Sequence, residues 1–506
     1  MKAFLMYPDR DFDLDAALPW NKEVLTQDLE LDTLFNSMAQ GDPFLLAVAR
    51  AAALSSVSDP EVITYRQDVL RDALAQDSVV RQIYGIALEA LQREKRIFDW
   101  APTPDRVLHR SIEVLELFVG LLKRLRRIAE EHGTDFRSEG FTRFFGMLIA
   151  ELDDDYFLTV EDHLRTLRFR NGVLLSARLG MGNKGTEYVL RQPRRTKQSW
   201  YKRISMMKRS AHTLTIADRD ESGFAALSEL KDRGVNLVAD ALARSTDHIL
   251  SFFSMLRREL AFYVGSLNLH SQLVEKGEPT CFPIPVAAGE FALSCQGLYD
   301  ACLTLIAGER VVGNDVAANK MSLVMITGAN QGGKSTFLRS LGLAQLMMQC
   351  GMFVPAEEFR ANVCAGVFTH FKREEDATMS SGKLDEELGR MSELADVITP
   401  NSILLFNESF ASTNEREGSE IARQIVHALL DMGLKVFFVT HLFDLAHGFL
   451  LERLDNALFL RADREPEGRR TFKLVEGEPL PTSYGEDLYR RIFGTGAEGS
   501  AAQGTQ

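Results

Sequence analysis

Apolar positions in the first half of the chain recur at helical spacing. In "RSIEVLELFVGLLKRLRRIAEE", Ile112, Leu115, Phe118, Val119, Leu122, Leu125 and Ile128 share one face of a 3.6-residue period. "ELDTLFNSMAQGDPFLLAVARAAAL" reads as two helices broken at Gly41-Asp42-Pro43. From about Asn236 to Leu273 there is no proline, and Val238, Leu242, Ile249, Phe252, Leu256, Leu260 and Tyr263 keep helical spacing through much of the stretch. A helix of that length spans roughly 55 Å, so it would project beyond an ordinary core as a lever or arm.

Between the helical blocks, "NGVLLSARLGMGNKGTEYVLRQ" alternates short apolar runs with glycine-rich turns, which predicts a β-hairpin. "AHTLTIAD" could supply another strand, so residues 170–217 read as a small β-rich insert. From about Thr280 the texture changes. The runs "SLVMITG", "SILLFNES" and "KVFFVTH" alternate with helical segments, one ending near Cys350 and another starting near Arg416. That alternation implies a parallel sheet covered on both faces. The tail 494–506 has too little apolar content to pack and reads as disordered.

Composition narrows the class. A chain of 506 residues, 45% hydrophobic and 25% charged, suggests a globular protein of two to four domains. No apolar run approaches the ~18 residues needed to cross a bilayer, and the start turns acidic too soon for a signal peptide. No membrane association and a cytoplasmic location are therefore expected. The five cysteines have no CxxC spacing and an odd count, which fits reduced structural thiols better than zinc ligands or a disulfide framework. A net charge of −13 argues against a surface that coats nucleic acid. The stretch 191–209 nevertheless holds eight basic residues and no acidic one.

"GANQGGKS" at 328–335 fits GxxxxGK[ST], with an expected strand before it and an amphipathic helix after it. Triphosphate binding accounts for each residue type. Glycines let backbone N–H groups turn toward phosphate oxygens, and the helix N-terminus adds favourable partial charge. The nucleotide-binding residues are then Gly328, Ala329, Asn330, Gln331, Gly332, Gly333, Lys334, Ser335 and Thr336. Lys334 would bridge the β- and γ-phosphates of ATP, and Ser335 would hold Mg²⁺. Downstream, "ILLFNE" ends a buried strand at Glu408, where a general base would orient the attacking water; the alternative is an ordinary polar strand end. "FFVTH" puts His441 at a third strand end, where a structural role is as natural as a catalytic one.

These motifs resemble the MutS mismatch-repair ATPases. "ITGANQGGKSTFLRSLGLAQLMMQCGMFVPA" is similar to that family's P-loop segment, with its Gly-Gly-Lys-Ser-Thr core and a "VPA" strand after the helix. In the same order, "MSELADVI" resembles the helix before the acidic strand, "THLFDL" the Thr-His switch, and "FKLVEGEPLPTSYGEDL" the segment ending in Ser-Tyr-Gly. "LELDTLFNSMAQGDPFL" and the long helix resemble the core and lever, and the β-rich insert sits where the family carries its DNA-contacting clamp. The resemblance implies a multidomain chain. A mainly α-helical lever and core over 1–275 carries the β-rich clamp-like insert 170–217, and an α/β P-loop ATPase domain of ABC-like type, 276–493, follows. It also implies ATP and Mg²⁺ as cofactors, DNA as partner, and a homodimer joined through the ATPase domains.

The departures from the family pattern matter as much. The start reads as too short for the family's mismatch-reading domain, and neither that domain nor the small MutS-related nuclease domain is expected. The family's Asp-Glu is Asn407-Glu408, and its Gly-Thr-Ser-Thr loop corresponds to "ASTNEREG", keeping Thr413 and Gly418 with Asn414 in place of Ser. The Ser-Thr pair after the family's Ser-Gly signature is replaced by acidic residues in "SSGKLDEELG", which leaves open the contact that Ser380 or Ser381 would make to a partner subunit's nucleotide.

In this site class the second-motif Asp helps hold Mg²⁺. Asn407 keeps the shape and a carbonyl acceptor but loses the charge. After desolvation the loss is roughly 1 to 3 kcal/mol of metal affinity, which leaves ATP binding through Lys334, Ser335 and the loop intact. Three readings stand: a DNA-embracing ATPase that does not read mismatches, the same engine acting on structured RNA or ribosomes, and an ATP-locked scaffold with little turnover. For the first, Arg194, Arg195, Lys197, Lys202, Arg203, Lys208 and Arg209, with Trp200 and Tyr201 among them, are the DNA-contact candidates. If about four of these touch phosphate, the logarithm of DNA affinity falls against that of salt with a slope near −4, and charge reversal of the patch flattens it.

Overall fold

The computed structural model describes residues 1–97, 103–170, 172–183, 185–191, 216–217, 219–307, 310–373, 382–465 and 470–481. The seven basic candidates between 194 and 209, the serines at 380 and 381, Ser483-Tyr484-Gly485 and the tail 494–506 lie outside the described residues. The chain forms two compact units, one of Met1–Ala3, Arg81–Asp135 and Thr142–Arg257, the other of Phe4–Val80, Phe136–Phe141 and Arg258–Gln506.

The first unit is helical. Its apolar stripe predicted at Ile112 to Ile128 lies on the helix Pro104–His132, which buries those residues; within the unit, the Phe118 ring packs 5.4 Å from Phe253. The expected hairpin is present, with β1 (Leu175–Leu179) antiparallel to β2 (Gly185–Leu190) and a bulge between Ser176 and Arg178. Of the further strand read at 211–218, only 216 and 217 are described, and neither is in a strand.

The long helix runs from Glu221 to Glu275, 55 residues, and so begins well before the Asn236 that the apolar periodicity suggested. At 1.5 Å per residue it is roughly 80 Å long. Its first turns expose Phe224, Leu227 and Leu230, so no clean apolar stripe announces them. Gly234 lies inside the helix because Leu175 of β1 packs there; a Cβ would come within 2.3 Å of that side chain.

The second unit opens with an irregular segment and the helices Lys22–Asp28, Leu31–Ala39, Pro43–Leu54 and Pro60–Ala75. The break expected at Gly41-Asp42-Pro43 is real: Gly41 has φ +85°, the Asp42 carboxylate accepts from the amides of Phe44 and Leu45, and Pro43 opens the next helix. The main sheet runs β12 (Arg470–Glu476), β11 (Ala457–Arg464), β6 (Leu323–Thr327), β10 (Lys435–Val439), β9 (Ile403–Asn407), β8 (Val367–Phe371). All neighbours pair in parallel except β11 and β12. Met325, Leu404, Phe406, Val436 and Phe438 face a core shared with the helices Lys383–Val397, Glu415–Asp431 and Phe443–Glu452. Alternate residues turn to the opposite face, where the helix Lys334–Gln349 packs, its Gly342 against Leu405. A second, four-stranded sheet was not foreseen: β3 (Ile284–Val286), β7 (Glu358–Asn362), β4 (Leu293–Leu298) and β5 (Asn314–Ala317), in that order. Its strands are short and mixed in direction, so they lack the long apolar runs that marked the main sheet.

In this unit the last turns of the long helix hold the N-terminal segment. Glu259 is fully buried and accepts from the amides of Leu5 (2.6 Å) and Phe12 (3.3 Å). Burial pushes its pKa up to about 7, with Asp11 adding to the rise while the amides of Leu5, Phe12 and Met6 oppose it. The folded pKa lies above the unfolded one, so this carboxyl's contribution is full below about pH 4.5 and is lost as pH rises to about 7. Substituting Glu259→Gln removes the titration. The stability of the variant relative to the parent is expected to rise by about 3 kcal/mol between pH 4.5 and 8, read from urea midpoints.

Candidate nucleotide-binding site

The site sits where parallel strands end. β6 leads into the loop 328–333, and the helix Lys334–Gln349 follows directly, as the spacing predicts. The loop needs its glycines for conformation and for room. Gly328 has φ +107° and Gly333 φ +89°, and a Cβ on Gly332 would lie 2.7 Å from the Cβ of Ala462 on β11. Gly333 caps the helix without a side-chain hydrogen bond, which leaves first-turn N–H groups for another acceptor.

A cavity of about 320 Å³ is lined by Asn330, Gln331, Gly332, Gly333, Lys334, Ser335 and Thr336, together with Glu408 and His441. Seven of the nine loop residues named from sequence therefore meet both candidate catalytic residues; Gly328 lines an adjoining cavity, and Ala329 is buried beneath the loop. The Lys334 ammonium donates to the carbonyls of Gly328 (2.9 Å) and Ala329 (3.0 Å). Burial lowers its pKa, partly offset by the Glu408 carboxylate and deepened by Arg470. The Ser335 hydroxyl donates to the Asn407 side-chain oxygen at 2.8 Å, bringing the two candidate metal residues together at the ends of neighbouring elements. His441 Nδ1 stands 3.9 Å from a Glu408 oxygen, and both side chains remain about a third exposed.

The turn after β9 is unusual. Glu408 has φ +55° and Phe410 φ +61°, left-handed values that cost a non-glycine residue roughly 1–3 kcal/mol. Buried polar partners hold it. The Glu387 carboxylate, on the helix Lys383–Val397, accepts from the Phe410 amide (2.6 Å) and the Ser412 hydroxyl (2.9 Å). His370 Nε2 donates to the Glu387 carbonyl (3.0 Å), which leaves Nδ1 of the neutral ring to accept from Ser409 Oγ (2.8 Å). The ring stacks on Phe410, and burial, helped by Arg390, lowers its pKa to about 4, so it stays neutral.

Two elements the sequence reading matched to the family loop and switch also meet here. Asn414 caps its own helix by accepting from the Glu417 amide, while Glu415 accepts from the Phe443 amide (2.8 Å) and so caps the helix Phe443–Glu452, which has no side-chain cap of its own. His370, Glu387, Ser409 and Glu415 were all missed as site residues. Glu387 lies within the acidic run "KLDEELG", and only the turn it holds explains it.

Described residues include no helix long and apolar enough to cross a membrane and no cluster of His, Cys, Asp and Glu arranged to hold a metal. All five cysteines are free; burial raises the thiol pKa of each, to about 11 for Cys281.

Long helices joined to a mixed, mainly parallel sheet define a multidomain α and β protein. The family model described as the MutS2 N-terminal domain matches residues 58–276, and that described as MutS domain V matches 324–489. The chain belongs to the MutS family. It is similar to the protein named Endonuclease MutS2 of Lacticaseibacillus casei, 28% identical over 261 residues, 48% of this chain and 32% of that one. The DNA mismatch repair protein MutS of Lactobacillus delbrueckii is 30% identical over 247 residues, 46% of this chain and 28% of that one. That of Streptococcus thermophilus is 25% identical over 282 residues, 54% and 33%. The chain thus spans about a third of the length of these curated relatives.

Gly418 tests the packing behind the site. A Cβ there would fall 2.3 Å from the Phe410 carbonyl oxygen, a backbone atom that cannot swing aside. Gly418→Ala is expected to cost about 1–3 kcal/mol in denaturant midpoint, by forcing the helix Glu415–Asp431 away from the strained turn.

Proposed function

We propose that this chain is an ATP-binding and ATP-hydrolysing member of the MutS family that couples nucleotide state to DNA binding. The observation that carries the reading is the 2.8 Å bond from Ser335 to Asn407, with Ser335 lining a cavity shared by the glycine loop, Lys334, Glu408 and His441. In this reading the domain containing 276–493 is the P-loop ATPase, of ABC-like type, paired with a second copy. Residues 1–275 form the lever and core, with the insert 170–217 as clamp.

The chemistry follows from residue types. First-turn amides and Lys334 bind the triphosphate, which requires the ammonium to exchange the Gly328 and Ala329 carbonyls for phosphate oxygens. A hydroxyl and an amide carbonyl fit Mg²⁺, a hard cation that takes oxygen donors and keeps several waters. Bound there, Mg²⁺ would neutralise charge developing on the phosphates. In this reading Glu408 orients and deprotonates the attacking water, and His441, whose Nδ1 lies 3.9 Å from a Glu408 oxygen, would face the γ-phosphate.

Asn407→Asp preserves the acceptor for Ser335 and adds only charge. In ATPase assays across a Mg²⁺ titration it is expected to lower the half-saturating concentration roughly ten- to hundredfold; an unchanged value removes the metal role of position 407. Glu408→Gln is expected to keep ATP binding and lose turnover by at least roughly 10²-fold. Assays with duplex, branched and single-stranded DNA and with RNA identify the ligand. DNA stimulation supports the proposal, RNA stimulation redirects it to structured RNA, and ATP binding without turnover makes the chain an ATP-held scaffold.

A further inference from the structure

We propose that Glu387 is the positioning residue that sets Glu408 for water activation, an inference that rests on the hydrolytic reading above. Three residues just beyond Glu408 are tied to one turn of the helix Lys383–Val397. Phe410 is bound through its amide to the Glu387 carboxylate and Ser412 through its hydroxyl, and Ser409 is bound through His370, which donates to the Glu387 carbonyl. Ser409 Oγ also lies 2.5 Å from the His370 carbonyl oxygen, which shares the single hydroxyl proton with Nδ1, so the end of β8 takes part in the clamp.

Glu408 itself is bound by its backbone, the amide donating to Val439 O at 2.9 Å, while its carboxylate lines the cavity. Its left-handed backbone aims that carboxylate, and the left-handed Phe410 two residues on is part of the same turn. Such a turn persists only while its surroundings hold it. With the buried Glu387 carboxylate removed, the Phe410 amide loses its partner and the turn can relax to ordinary φ values, swinging the Glu408 side chain away. The P-loop residues that bind phosphate lie on another element and are not held by Glu387.

The test measures steady-state ATP hydrolysis and equilibrium ATP binding for the parent, Glu387→Ala, Glu387→Gln, Glu408→Gln and the Glu387→Ala/Glu408→Gln double variant. Glu387→Ala is expected to lower kcat roughly 10²-fold with KM and ATP affinity within about twofold, as for a catalytic group displaced by about 1 Å. Glutamine keeps an oxygen acceptor for the Phe410 amide and is expected to recover part of the loss, to a rate roughly three- to tenfold below the parent. The double variant is expected to be no slower than Glu408→Gln alone, because a displaced base and an absent one have the same consequence. A purely supporting role predicts a lower denaturation midpoint with kcat unchanged, or a further fall in the double variant, and either overturns the proposal. Should Glu387→Ala not fold, Glu387→Gln decides alone, with a roughly three- to tenfold loss of kcat at constant KM expected and an unchanged kcat overturning. A parent chain that hydrolyses no ATP overturns the hydrolytic reading and this proposal together; a parent that turns over while Glu387→Ala matches it overturns only this one.

Discussion

The site depends on the register of three parallel strands. Val439 of β10 pairs with Ile326 of β6 on one side and with Asn407 of β9 on the other, so the loop 328–333, Glu408 and His441 leave the sheet at one level. A slip of one residue would invert every side chain on a strand and carry Asn407 away from Ser335. Register is held by burial on both faces. Leu404, Phe406, Val436 and Phe438 fill one core, and their alternates face the helix Lys334–Gln349. The polar chemistry at the strand ends is thus positioned by apolar residues that take no part in it.

That division explains what was legible in sequence. The four-residue apolar runs within β6, β9 and β10 cannot face water, and the glycines of 328–333 have a backbone reason to exist; both read directly. The helix Pro104–His132 read well because one face is apolar and the other charged. The start of the long helix did not, since its first turns expose leucines and phenylalanine without a stripe. Nor did the second sheet, whose strands of three to six residues carry too few alternations to stand out.

At the site, residues that present backbone or hydroxyl to a ligand follow a local pattern, and local patterns are visible in one dimension. Glu387, His370 and Ser409 act through contacts spanning 17 to 39 positions, and no local spacing encodes them. The acidic run "KLDEELG" illustrates the difficulty. Read along the chain it is a charged helix start; in the fold, one of its acids is buried and satisfied by a neighbouring turn while Asp385 and Glu386 stay at the surface. Which member is buried depends on where the helix axis meets β8 and β9.

The far end of the helix Lys334–Gln349 is fixed with equal care, which bears on how the second unit stays one body. Buried Arg66 donates to the Cys350 carbonyl at that end (3.2 Å) and to Met6 O (2.8 Å), its guanidinium lying over the Tyr7 ring. Gln349 donates to Val57 O and Cys364 O, joining the same helix end to the loop before Pro60–Ala75 and to the strand connection after β7. The segment that Arg66 holds is the one that Glu259 and Tyr263 hold from the long helix. Each of these buried bonds saturates a backbone group, so detaching one element would leave polar atoms on its neighbours unpaired. The irregular segment 4–12 is therefore not a tail laid on the surface. It is the layer through which the glycine-loop helix and the last turns of the long helix share one set of buried hydrogen bonds.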